Sequence, residues 1–281
     1  MKWEDRGTSN DVEDRRGSGG GGGLRLGIGG FILLAVLSLV FKRNFFTLLD
    51  SGGGGGGGDA PSAQVSHSPE EEKLVHFVSF VLDDVQDTWT REFQAMGRPY
   101  ERAKMVLFTD AVRSGCGFAE GAMGPFYCPE DQKVYIDLGF YKELKSRFGA
   151  PGDFAQAYVL AHEVGHHVQD LLGLEERMRA AQQRSSEDAK ALSVRFELQA
   201  DCLAGVWAHS TQQRDILEAG DVEEALGAAA AVGDDRIQKQ ATGRVNPETW
   251  THGSSRQRMQ WFNQGFQKGR VQECDTFAGG T

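Results

Sequence analysis

Residues His162-Glu163-Val164-Gly165-His166 spell H-E-x-x-H inside an apolar run from Phe154 to Gly173, and nothing else in the chain constrains its fold as much. On a helix, positions four apart share one face. His162 and His166 can then grip a single ion, with Glu163 beside it. Two imidazoles do not complete a catalytic zinc site, which needs three protein ligands and an open position. The third ligand must come from a second element packed against the first.

The segment Phe196-Glu-Leu-Gln-Ala-Asp-Cys202 is the best source. Glu197 and Asp201 are four apart and share a helix face. Glu197 can bind the metal, while Asp201 can accept a hydrogen bond from the remote nitrogen of a ligand histidine and fix its tautomer. With Zn²⁺ lowering the pKa of a bound water, Glu163 is placed to take the water's proton and pass it to a leaving amine. A structural zinc prefers four ligands, often Cys, and only three converge here. His167 lies about 100° around the helix from His166 and reads as a packing residue. Gly165 implies close approach of another helix or strand.

This pattern resembles the gluzincin peptidases, with H-E-x-x-H followed by a helix carrying E-x-x-x-D. More specifically, the chain is similar to the bacterial neutral zinc metallopeptidases. The matching stretches are Asn10-Asp-Val-Glu-Asp-Arg-Arg16, an apolar segment near residue 30, Gly124-Pro-Phe-Tyr-Cys-Pro129, Val134-Tyr-Ile-Asp137, His162 to His167, Glu197 to Cys202 and Cys274-Asp-Thr-Phe277. The resemblance spans nearly the whole chain. It implies an α+β, mostly helical, zincin-like metallopeptidase domain with a small β-sheet, using Zn²⁺ on peptide or protein substrates. Thr251-His-Gly-Ser-Ser-Arg-Gln-Arg258 is similar to the T-H-P-x-x-x-x-R segment of membrane-associated gluzincins, with Gly253 in place of proline. That likeness implies that His252 donates to the reaction's oxyanion and that Arg258 orients the cleft or grips a substrate carbonyl. The competing reading is a helix capped by Ser254 with His252 a bystander. Peptides of such enzymes lie against an edge strand. Val134, Tyr135 and Ile136, within Lys133 to Asp137, are the expected substrate-binding edge, and Lys104 to Thr109 is the competitor.

The remaining organisation follows from composition. Residues 1–23 are polar and Gly-rich and read as a disordered cytoplasmic tail. Residues 24–43 are almost wholly apolar and read as one transmembrane helix, with a cleaved signal peptide as competitor lacking a cleavage site. A slight basic excess before the span puts the N-terminus in the cytoplasm and the body outside. Residues 44–62 are a Gly-rich linker, and 63–281 the zinc domain. The expected location is the bacterial cytoplasmic membrane, single-pass, with the catalytic domain extracytoplasmic. A net charge of -10 argues against a nucleic-acid partner.

Cys116 and Cys128 bracket a Gly/Pro-rich loop that one disulfide would close, leaving Cys202 and Cys274 for a second bridge. Four buried thiols are the alternative. Helices are expected from Ser68 to about Gln94, from Phe154 to Leu172, over Leu174–Gln183 and Ser186–His209, from Val222 to Gln240 and from Ser254 to Lys268. Two functional readings stand: a membrane-anchored zinc endopeptidase, or a non-catalytic zinc-binding envelope protein serving as scaffold or binding module. An amidase or esterase on the same site is a third.

Overall fold

The computed structural model describes residues 1–17, 67–121, 124–184 and 189–277. In chain order the elements are β1 (Val12–Asp14), α1 (Pro69–Ala95), β2 (Lys104–Phe108), β3 (Ala111–Ser114), β4 (Gly117–Glu120), β5 (Phe126–Cys128) and β6 (Lys133–Asp137). There follow α2 (Gly139–Ser146), α3 (Asp153–Leu171), α4 (Leu174–Arg184), α5 (Ala189–Gln213), α6 (Asp221–Ala231), α7 (Asp234–Thr242) and α8 (Ser255–Lys268). Short 3₁₀ turns cover Pro247–Thr249 and Val271–Cys274. The fold is thus α+β and mostly helical. Met1–Arg16 and His67–Thr281 make one compact unit. The membrane helix expected over 24–43 and the linker over 44–62 lie outside the described residues. Among the described residues no helix is long and apolar enough to cross a membrane.

Local chemistry sets the helix ends. Ser68 caps α1 by accepting from the Glu71 amide at 3.1 Å, with Pro69 in the first turn and three glutamates behind it. A positive φ at Gly173 ends the helix that carries the H-E-x-x-H motif. That helix, α3, is buried on nearly every side, and Phe154 at its start stacks on Trp207 of α5 with ring centres 5.3 Å apart. Gly165 has the expected neighbour: a β-carbon there would sit 3.1 Å from the Ala200 carbonyl oxygen. This crossing brings the second half of α3 against the first half of α5.

The stretch from Val222 to Gln240, expected as one helix, is two. The strand of backbone entering α8 crosses at the break, where the Asp234 amide donates to the Gly253 carbonyl at 2.9 Å. Asp234 and Asp235 then use their carboxylates on the amides of residues 251–253 and of Ser255.

The main sheet has the order β1-β2-β6-β5, with β1, β2 and β6 parallel and β5 antiparallel to β6. Met105, Leu107, Val134 and Ile136 face the helices, while Val106, Phe108 and Tyr135 face a second small core beneath the β3–β4 hairpin. This arrangement corrects two expectations. Val134, Tyr135 and Ile136 lie on an interior strand, at most 1 % exposed, all three paired with β2 on one side and Val134 and Tyr135 with β5 on the other. They cannot add a substrate strand, nor can β2, which lies between β1 and β6. The edge on the motif's side is β5, in the segment read as a loop.

The second correction concerns the N-terminus. Residues 1–16 are not a disordered tail but part of the domain. β1 pairs with β2 over Val12 to Asp14, and Trp3 packs edge-on against Phe77 of α1 at 5.4 Å. Arg16 is 6 % exposed and its guanidinium reaches Asp14, Glu71 and Glu72 at 2.6 to 2.9 Å. The chain therefore leaves this unit beside the point where it re-enters, at the first turn of α1.

Both expected disulfides are present, Cys116–Cys128 and Cys202–Cys274. The first ties the β3–β4 hairpin to the end of β5. The second ties the C-terminal 3₁₀ turn to α5.

Candidate metal centre

His162 and His166 are one turn apart on α3 and present their Nε2 atoms toward Glu197 of α5. His162 Nε2 lies 3.2 Å from Glu197 Oε2, and His166 Nε2 lies 3.5 Å from Glu197 Oε1. Zinc bonds of about 2.0–2.2 Å at tetrahedral angles require neighbouring ligand atoms roughly 3.3–3.6 Å apart. The two measured separations fit that requirement, and His162, His166 and Glu197 together offer a metal-binding cluster. The donor set, two imidazoles and one carboxylate with no thiolate, is that of a catalytic rather than a structural zinc site.

Each histidine has its other nitrogen engaged. His162 Nδ1 donates to Asp201 Oδ1 at 2.9 Å. Asp201 is fully buried and also accepts from Tyr158 Oη at 2.5 Å and from Arg258 Nε and Nη2 at 2.8 and 2.9 Å. His166 Nδ1 donates to Gln169 Oε1 at 2.8 Å, and its ring stacks on Phe196.

The electrostatics follow from this packing. Burial pushes the Glu197 carboxyl up, but the His166 and His162 imidazoles pull it well below the usual carboxylate range. Burial likewise raises Asp201, and the Arg258 guanidinium outweighs it and holds Asp201 ionised. His162 is lowered by burial yet held up at about 9 by Asp201 and Glu197. Asp201 is thus balanced by Arg258 behind His162, while the ionised Glu197 faces both imidazole Nε2 atoms at the point where a divalent cation would sit.

The centre opens on a cleft of about 580 Å³. Glu163, 8 % exposed, lines it beside the imidazoles. One rim is β5 and the turn before it, from Gly124 to Tyr127, and Phe140, Phe148 and Val159 supply an apolar wall. His252 stands on another side, half-exposed. Its Nδ1 lies 3.2 Å from Asp234 Oδ1, while Asp234 Oδ2 accepts from the amides of Thr251, His252 and Gly253 at 2.7 to 3.0 Å. The hydrogen bond to Asp234 raises the His252 imidazole above its ordinary pKa. Ser254 does cap α8, in a capping box with Gln257. The capping role and the cleft position of His252 coexist.

Arg258 does not fit the role of a substrate clamp. It is 3 % exposed, and its arms are committed to Asp201, Tyr158 Oη and the Val232 carbonyl. Its work is to compensate Asp201 behind His162. His167 faces away from the centre, donating to the Glu101 carbonyl at 2.6 Å with its other nitrogen 3.1 Å from Tyr127 Oη.

Tyr158, Gln169 and Asp234 escaped the sequence reading. Tyr158 and His162 are four apart, as are Asp201 and Glu197, so helical spacing alone would have placed Tyr158 on the ligand face. Gln169 and Asp234 carry no such signal.

The chain is similar to known proteins along its length. An uncharacterized Escherichia coli K12 protein, YpfJ, is 49 % identical over 286 residues, 99 % of each chain. An uncharacterized protein of Mycobacterium tuberculosis H37Rv, Rv2575, is 50 % identical over 190 residues, 64 % of each chain. No solved structure matches. The family described as "Putative neutral zinc metallopeptidase" matches residues 1–277.

Proposed function

The chain belongs to the neutral zinc metallopeptidase family, and from that premise we propose that it is a zinc-dependent endopeptidase whose reaction is run by Glu163 at the His162–His166–Glu197 centre. The observation that carries this reading is the convergence of two imidazole Nε2 atoms on one carboxylate at tetrahedral-edge distances, with Glu163 lining the same cleft.

His162, His166 and Glu197 would hold a zinc ion, which would supply Lewis acidity toward water and toward the scissile carbonyl. Glu163 takes the proton of the attacking water and delivers it to the departing amine. His252, its pKa raised by the hydrogen bond to Asp234, donates in its protonated form to the carbonyl oxygen as negative charge develops on it. Asp201 holds the His162 ring so that Nε2 faces Glu197, where the two would share the ion. An extended peptide pairs with the outer edge of β5, and Phe140, Phe148 and Val159 offer apolar surface to a neighbouring side chain.

The two disulfides favour an oxidising, extracytoplasmic compartment. The apolar segment at 24–43 is the candidate membrane attachment.

The test is a metal count on the purified chain combined with a peptide-library digest of parent and Glu163→Gln. Endopeptidase action requires about one zinc per chain in both proteins and cleavage by the parent alone. Zinc in both with no cleavage by either, across peptide, cell-wall and ester substrates, would replace the enzyme with the binding module.

A further inference from the structure

His162 and His166 are held by different means. Behind His162 stands a fully buried ionised carboxylate, Asp201. Behind His166 stands a chain of neutral amides. Gln169 is 0 % exposed and Gln199 7 % exposed. His166 Nδ1 meets Gln169 Oε1 at 2.8 Å, Gln169 Nε2 meets Gln199 Oε1 at 2.9 Å, and Gln199 Nε2 meets the Cys274 carbonyl at 2.9 Å. Gln169 Nε2 also donates to the Phe196 carbonyl at 2.8 Å.

The sense of every bond in this chain is dictated from its far end. A backbone carbonyl only accepts, so Gln199 must offer Cys274 its NH₂ group. Its carbonyl oxygen then faces Gln169 and requires a donor. Gln169 has two N–H groups, and both are used, one on Gln199 and one on Phe196. Turning the Gln169 amide over would set oxygen against oxygen at two contacts. The Gln169 oxygen is therefore fixed toward His166, and a neutral His166 must carry its proton on Nδ1. That leaves the lone pair on Nε2, the atom that faces Glu197.

The last carbonyl is itself pinned. Cys274 is disulfide-bonded to Cys202, next in sequence to Asp201. Thr276 just beyond donates to the Arg195 carbonyl at 2.7 Å. The C-terminal turn is thus fastened on both sides of the acceptor that ends the relay.

We propose that Gln169 and Gln199 are positioning residues for the metal ligand His166, and that the Cys202–Cys274 bridge serves the centre by fixing the carbonyl from which their orientation is set. The inference rests on the zinc reading of the centre. It assigns the disulfide a part in metal binding, not only in tying down the chain's end.

Two measurements on the intact chain test it. The first is zinc affinity at fixed pH by competition with a chromophoric chelator. Gln169→Leu should weaken zinc about 10- to 100-fold, the usual consequence of removing a ligand's hydrogen-bond partner. Gln169→Glu keeps the acceptor for His166 but sets its second oxygen against the Phe196 carbonyl and Gln199 Oε1, so it should recover only part of that loss. Gln199→Met should weaken zinc in the same direction. Combining it with Cys202→Ser and Cys274→Ser should cost less than the sum of the separate effects, since both act through one carbonyl. Val168→Ala, buried on the same helix outside the relay, should lower the melting temperature and leave zinc affinity alone. The second measurement is the ¹⁵N imidazole spectrum of zinc-free protein at a pH where His166 is neutral. The parent should show the proton on Nδ1, and Gln169→Leu a mixture of tautomers. If Gln169→Leu folds, binds zinc as the parent does and keeps a single tautomer, the proposal is overturned while the zinc reading stands. If the parent binds no zinc, the zinc reading fails, and the spectrum still decides whether the relay sets the tautomer.

Discussion

At the scale of single residues, Asp201 is the most exacting position in the domain. It is buried and charged, and it remains so because Arg258 gives it two hydrogen bonds, Tyr158 one and His162 one. Removing one partner of such a pair leaves an uncompensated buried charge, typically at about 3–5 kcal/mol. Arg258→Met should therefore lower the melting temperature by roughly 6–20 °C, taking about 2–4 °C per kcal/mol for a domain of this size. A calorimetric scan checks this, and an unchanged midpoint would refute the compensating role. Asp234 lends itself to a different test. Its hydrogen bond raises the His252 pKa, so the protonated donor persists at low pH and is lost as pH rises through that raised value. Asp234→Asn removes the raising influence. The alkaline limb of kcat/KM should then move to lower pH, and a limb that stays in place would remove His252 from the reaction. These partners show why the sequence revealed only part of the centre. His162, His166, Glu197 and Asp201 announce themselves through helical spacing within two short segments. Asp234 acts on a residue 18 positions later, and Arg258 on one 57 positions earlier, relations that arise only from how the helices cross.

At the scale of elements, the crossing of α5 and α8 decides whether α5 lies where Glu197 and Asp201 are needed. The two helices meet through Gly205 and Gly265. A β-carbon on Gly265 would fall on the Cys202 carbonyl oxygen at 1.9 Å, and one on Gly205 would fall 2.1 Å from the Phe262 carbonyl oxygen. Backbone meets backbone there, so neither helix can yield by turning a side chain. Gly227 on α6 has nothing within 4 Å of the same position. One substitution should therefore have opposite signs at two helical glycines. Gly227→Ala should stabilise by about 0.5–1 kcal/mol through helix propensity. Gly265→Ala must push α8 off α5 and should destabilise by about 1–3 kcal/mol or more, as overpacking does. Denaturant midpoints for the two variants settle the matter, and equal signs would contradict the close crossing. Long elements were legible because their ends carry local signals: Ser68 and Pro69 at the start of α1, Gly173 after α3, Ser254 before α8. The strands β1 and β5 were not, because three residues give no alternation to detect and their pairing is entirely tertiary. Missing β5 is what sent the substrate edge to β6.

At the scale of the whole molecule, the N-terminal segment and the zinc domain are one folded body, and this constrains topology. β1 lies in the ladder with β2, the Arg15 amide donates to the Leu107 carbonyl at 2.8 Å, and Met105 donates to Asp11. Arg102 reaches Asp11 on one side and Asp83 and Asp87 of α1 on the other. A chain that crossed a bilayer once between residues 17 and 66 would put these partners on opposite faces. The cytoplasmic N-terminus and extracytoplasmic body expected from the charge bias cannot both hold while β1 is paired. The likeness at Asn10 to Arg16 already pointed to an ordered role for a stretch whose composition reads as a tail. The domain's own cysteines make the consequence easy to measure, because all four are in disulfides and none is free. Thr8→Cys and Gln240→Cys each place one exposed thiol on the same unit, one on either side of the intervening segment. In intact cells a membrane-impermeant maleimide should label both variants or neither, and lysis should bring both to the same extent. Labelling of Gln240→Cys with protection of Thr8→Cys would mean that β1 does not stay in the sheet in the membrane-attached protein. Equal labelling would mean that residues 17–66 depart from and return to one side, so that any membrane contact they make is an attachment without net crossing.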